Sequence, residues 1–80
     1  MKEYVATFHT HLSALMTSRK LTSLGVTARM MPVPRKLSSS CGTCVYYLST
    51  EPHLETMDED VEGVYVVTGK EQYALLMENQ

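Results

Sequence analysis

Cys41 and Cys44 are the only thiols of the chain, and they stand three positions apart in one polar stretch, "PVPRKLSSSCGTC". A thiol acts as a nucleophile or metal ligand only as thiolate, so lowering its free pKa of about 8.5 takes positive charge, backbone amides or a helix N-terminus beside it. Arg35 and Lys36 flank this stretch, and Gly42 frees the backbone to fold its amides toward Cys41. Ser38, Ser39 and Ser40 add hydroxyls and a flexible, solvent-accessible path. An ordinary hairpin loop with two inert cysteines, in a non-catalytic interaction domain, is the plain alternative.

The C-x-x-C spacing has three chemical meanings. Thiol-disulfide exchange wants the first cysteine at a helix N-terminus in a thioredoxin-like unit, whereas here the motif precedes a strand. Zinc wants four ligands; Cys41, Cys44, His9 and His11 would supply them, without a second cysteine pair or the usual histidine spacing. The third meaning is a carrier. One exposed cysteine takes a sulfur or selenium atom as a persulfide or its selenium analogue and hands it to another protein, with the second thiol available to resolve it. His9, His11 and His53 otherwise read as surface or capping histidines, and Tyr46 and Tyr47 as strand packing.

The elements that must position these residues follow from pattern. Residues 3–8, "EYVATF", are rich in β-formers and too short for a helix, which makes them the first strand. Residues 9–25 form the long helix, with Thr10 as a candidate cap, Gly25 as C-cap, and Arg19 and Lys20 toward the negative end of the dipole. A stripe through Ala14, Thr17, Ser18, Leu21 and Leu24 faces the sheet. A second patch at Leu12, Leu15 and Met16 is either a satellite core under a loop or the surface of a homodimer or partner. Strands are expected at residues 26–33, 44–48 and 63–67, and a short second helix from Ser49 or Thr50 to about Asp58. The acidic cluster Glu55, Asp58, Glu59 and Asp60 reads as a solvated face. Thr68 and Glu71 stand in capping-box spacing before "QYALLM", which favours a short terminal helix over a fifth strand.

That order gives an α+β fold: a ferredoxin-like split βαβ sandwich, a four-stranded antiparallel sheet with one long and one or two short helices. The crossover through the long helix makes the first two strands run the same way. "HTH" and "SSSCGTC" are therefore expected as neighbours in space, some thirty residues apart in sequence.

Composition sets the outer bounds. With 80 residues, a net charge of -2, 44% hydrophobic and 20% charged residues, the chain is expected to be one domain, 1–80, and not disordered. Seven Lys and Arg against nine Asp and Glu leave no electrostatic footprint for nucleic acid. No apolar run approaches the roughly 20 residues of a membrane span, and "MKE" opens into a strand pattern rather than a signal peptide, so a soluble, cytoplasmic protein is expected. Two cysteines are too few for a disulfide framework. So small a chain has little room to enclose a substrate pocket, which favours a carrier over a self-sufficient enzyme and calls for no cofactor.

The run "FHTHLSALMTSRKLTSLGVTARMMPVPRKLSSSCGTC" resembles the selenium/sulfur carrier protein-like family. That family's pattern is a strand ending in Phe, a helix containing Ala and closing near Gly, then Pro-x-Pro-Arg, Leu or Ile, a serine-rich stretch and Cys-Gly. Phe8, Ala14, Gly25, Pro32, Pro34, Arg35, Leu37, Ser38, Ser39, Cys41 and Gly42 match it. The resemblance implies Cys41 as the atom-carrying thiol, Arg35 as a positioning or pKa-lowering charge, Cys44 as a possible resolving thiol, and sulfur or selenium donor and acceptor proteins as partners. It covers about the first half of the chain, and "GKEQYALLMENQ" reads as an addition.

Overall fold

The computed structural model describes residues 1–79. Its elements are β1 (Lys2–Phe8), α1 (His11–Ser23), β2 (Thr27–Pro32), β3 (Thr43–Ser49), a single 3-10 turn (Leu54–Thr56), β4 (Val61–Gly69) and β5 (Gln72–Glu78). The five strands form one antiparallel sheet in the order β2-β3-β1-β4-β5. Because β1 and β2 both run antiparallel to β3, which lies between them, they point the same way.

This corrects the expected fold. The sheet has five strands and the described residues contain one α-helix, so the protein is not a four-stranded ferredoxin-like sandwich with further helices. Two local causes account for the difference. The expected second helix stops at one turn because His53 adopts the left-handed conformation, φ 52°, and Met57 is extended. The expected terminal helix is instead β5, joined to β4 by a two-residue turn at Lys70 and Glu71, with Glu71 at φ 56°. Without it β4 would present an open edge of unpaired amides and carbonyls, and pairing along that edge overrides the weak helical signal of "QYALLM".

Helix α1 covers one face of the sheet. Thr10 caps it, its hydroxyl accepting from the Ser13 amide at 3.2 Å. Gly25, at φ 85°, ends it: the Gly25 amide donates to the Thr22 carbonyl and the Val26 amide to that of Leu21, the Schellman pattern that a left-handed glycine permits. Ser13, Ala14, Thr17 and Leu21 are buried. The apolar members Ala14 and Leu21 pack with Tyr4, Ala6, Phe8, Val45, Tyr47, Val61 and Val64, each large side chain contributing about 1.5–3 kcal/mol by leaving water. Leu24, expected on this face, is exposed, as are Leu12 and Met16 of the second patch. The polar members are also paired. Thr17 Oγ1 accepts from the Asp58 amide at 3.1 Å and Ser13 Oγ donates to Asp60 Oδ2 at 3.0 Å. Part of the acidic segment is thus docked on the helix, not merely solvated.

The opposite face has no helix, yet Val5, Thr7 and Cys44 are buried there. Strand alternation places all three on that face, and Val5 lies between its cross-strand partners Tyr46 and Tyr65. Arg29 stacks over the Tyr46 ring at 5.3 Å.

Candidate functional site

The ends of β1 and β2 and the starts of β3 and β4 meet at one end of the sheet. The thiol loop lies across that end. Its base is closed by the Val33 amide donating to the Gly42 carbonyl at 3.1 Å, which prolongs the β2-β3 ladder. Inside it, the Leu37 amide donates to Pro34 and the Gly42 amide to Ser39, with Gly42 at φ 72°. The Gly42 amide is thereby engaged within the loop and not on the sulfur.

The Cys41 sulfur points back at the sheet. It lies 3.4 Å from the Phe8 carbonyl oxygen and 3.5 Å from that of Thr43, either of which accepts from S–H, and 3.7 Å from Ser39 Oγ. Ser39 Oγ donates to the same Phe8 carbonyl at 2.8 Å. Residues 39 and 41 are thus both seated on the last residue of β1, the spatial neighbourhood expected from the strand-helix-strand order. The two histidines join them there. His9 Nδ1 is 3.3 Å from Ser40 Oγ, and His11 Nδ1 is 3.5 Å from Thr43 Oγ1.

The two thiols occupy different environments. Cys41 is half-buried and Cys44 is fully buried on the helix-free face, 3.7 Å from the Pro32 carbonyl. Burial pushes the Cys44 thiol up to about 11, with the nearby Cys41 adding to the rise. Arg35 is exposed in the turn before the serines and makes no hydrogen bond or ion pair among the described residues. For a metal, among the described residues the ligand atoms grouped within 4.8 Å of one another are those of Glu51, His53 and Glu55. Cys41, Cys44, His9 and His11 are not gathered in that way. Grooves of about 490 and 280 Å³ lie away from the loop, at the β4-β5 turn and beside Tyr46.

Glu62 is the residue that sequence reasoning missed. Its carboxylate accepts from the Ser40 amide at 3.1 Å and the Ser40 hydroxyl at 2.7 Å, and lies 3.3 Å from His9 Nδ1. Burial raises its pKa, but the hydroxyl and amide of Ser40 and the His9 ring outweigh this, and the net shift is downward. Its placement comes from a β-bulge: Thr7 pairs with Gly63 and Phe8 with Val61, leaving Glu62 as the extra residue of β4. The sequence signal was an acidic residue inside an otherwise apolar strand, "VEGVYVV".

Comparison with known proteins places the chain in a family. Residues 3–66 match the model of the family described as "Putative Se/S carrier protein-like", and the chain belongs to that family. It is also similar to "Uncharacterized protein YtiA" of Escherichia coli (strain K12), 35% identical over 46 residues, which is 58% of this chain. The matched part spans about half of that relative, 54% of its length. No solved structure matches the chain significantly. No helix among the described residues is long and apolar enough to cross a membrane.

Proposed function

We propose that the protein carries a sulfur or selenium atom on the thiol of Cys41, taking it from a donor protein and passing it to an acceptor. The observation that supports this most is the asymmetry of the two thiols. Within the family match, Cys41 sits half-buried at the end of the sheet, while Cys44 is sealed in with its pKa near 11. In loading, the Cys41 thiolate attacks the outer sulfur of a donor persulfide. A sulfur-sulfur bond forms to Cys41, the donor's sulfur-sulfur bond breaks, and the donor thiolate leaves with that electron pair. Delivery is the same displacement run onto an acceptor nucleophile, so neither step needs an external oxidant. Selenium replaces the transferred atom without changing this balance.

Arg35, exposed and unpaired among the described residues, supplies positive charge for docking the donor or for favouring the thiolate. Burial and the raised pKa support a packing role for Cys44 over a resolving one. The test is intact mass after incubation with a cysteine desulfurase and cysteine. The expected result is a gain of one sulfur atom, reversed by reductant, lost in Cys41→Ser, kept in Cys44→Ser and slowed in Arg35→Ala. An equal gain in Cys41→Ser overturns the reading.

A further inference from the structure

We propose that Glu62 is a positioning residue that latches the thiol loop over the end of the sheet and so limits approach to the Cys41 sulfur; this deepens, and rests on, the reading of Cys41 as the atom-carrying thiol. Three facts support it. First, one carboxylate holds both donors of Ser40, the residue immediately before Cys41: Oε1 takes the amide and Oε2 the hydroxyl. A two-point grip fixes orientation as well as position, because a single bond would still allow the peptide to swing. Second, the grip comes from β4 across the sheet end, where a bulge aims Glu62 at the loop, so the anchor is part of the ladder and not of the loop itself. Third, the conformation held is one in which the sulfur faces the Phe8 and Thr43 carbonyls. In loading, the Cys41 sulfur is the attacking atom and must reach the donor's outer sulfur in line with the bond that breaks. A sulfur turned onto two main-chain oxygens has part of its approach blocked by them.

Releasing Ser40 from Glu62 frees the segment 38–41 to lift, because its remaining ties to the sheet end are the Ser39 hydroxyl, the sulfur itself and the exposed contact of Ser40 with His9, while the bond from the Gly42 amide to the Ser39 carbonyl lies inside the loop. His9, half exposed, shares Oε2 with the Ser40 hydroxyl and closes the outer side of the latch. A donor or acceptor protein that offers the Glu62 carboxylate a substitute cation, or offers Ser40 a substitute acceptor, would open the loop on docking. Access to the carried atom is then tied to the presence of the correct partner.

The experiment follows the alkylation of Cys41 and Cys44 by iodoacetamide from pH 6 to 9.5, resolved by peptide mass, in the wild type, Glu62→Gln and Ser40→Ala. The midpoint of the Cys41 profile reports its thiol proton, and the high-pH plateau reports access to its sulfur. The latch predicts a Cys41 plateau roughly tenfold higher in Glu62→Gln, a factor equivalent to about 1.4 kcal/mol. It predicts a smaller rise in Ser40→Ala, which keeps the amide bond, and Cys44 unlabelled throughout. A through-space charge effect alone would move the midpoint and leave the plateau, which overturns the proposal. So does a plateau rise matched by labelling of Cys44 in both variants, since that is general loosening. Should Glu62→Gln fail to fold, the Ser40→Ala plateau decides. Sulfur loading is read separately by mass: if the wild type takes no sulfur the carrier reading fails on its own, and if it loads while the plateaus agree only the latch fails.

Discussion

The sulfur of Cys41 lies 3.4 Å from the carbonyl oxygen of Phe8, a residue on the other side of the helix in sequence and the last of β1. Three positions further on, Cys44 belongs to β3 and is fully buried. With reagent limiting near neutral pH, Cys41 is expected to take the label and Cys44 to remain free until the protein unfolds. Peptide mapping of the singly labelled protein checks this. Comparable labelling of both in the folded state would contradict the burial of Cys44.

Gly42 holds φ 72°, and a Cβ built on it meets nothing within 4 Å. The cost of Gly42→Ala is therefore backbone strain without a clash, about 1–2 kcal/mol. Thermal melts should show that loss, and Gly42→Asn should recover part of it, since asparagine tolerates the left-handed region. A loss of the same size from both substitutions would point to a contact rather than the backbone.

Between pH 9 and 11 the buried Cys44 should make stability fall. Its folded pKa of about 11 lies well above that of a free thiol, so the unfolded chain releases this proton first as pH rises. The contribution is fully present below pH 9 and lost by about pH 11, amounting to about 2–3 kcal/mol. Denaturant melts under reductant across that range should show a steeper decline for the wild type than for Cys44→Ala.

Glu62 acts in the opposite direction. Its folded pKa lies below the ordinary 4.5, so its contribution is present above that value and lost as pH falls through the folded one. Wild type should be more stable than Glu62→Gln at pH 6, and the gap between their melting temperatures should close below about pH 4.5. A gap that stays constant down to pH 3 would show that the carboxylate charge is not what holds Ser40.

The meeting of His9, His11 and the thiol loop was legible in the sequence because a helix that returns the chain to the starting end of the sheet makes the next strand run parallel to the first, which needs no knowledge of side-chain contacts. The caps at Thr10 and Gly25 were legible for a similar reason: each answers to hydrogen bonds within a few residues. What failed depended on pairing. "QYALLM" satisfies helix and strand patterns alike, and only the open edge of β4 decides between them. Glu62 was invisible because a bulge exists only between two strands, and nothing within "VEGVYVV" states where β1 will slip against it. The short second helix failed at His53, whose left-handed conformation follows a proline and no glycine. Its Nε2 pairs with Ser49 Oγ at 2.9 Å, a contact across the turn that no local pattern announced.

The family match ends at Val66, before β5 begins. Yet Asn79, just past β5, donates its amide to the Glu62 carbonyl at 3.0 Å and its side chain to that of Glu59 at the same distance. A polypeptide cut back to the matched span would keep every motif residue and lose the main-chain brace behind the bulge. In this protein the stretch that defines kinship stops short of a residue bonded to the Glu62 main chain, so a graft of the thiol loop onto another scaffold should carry β5 and Asn79 as well.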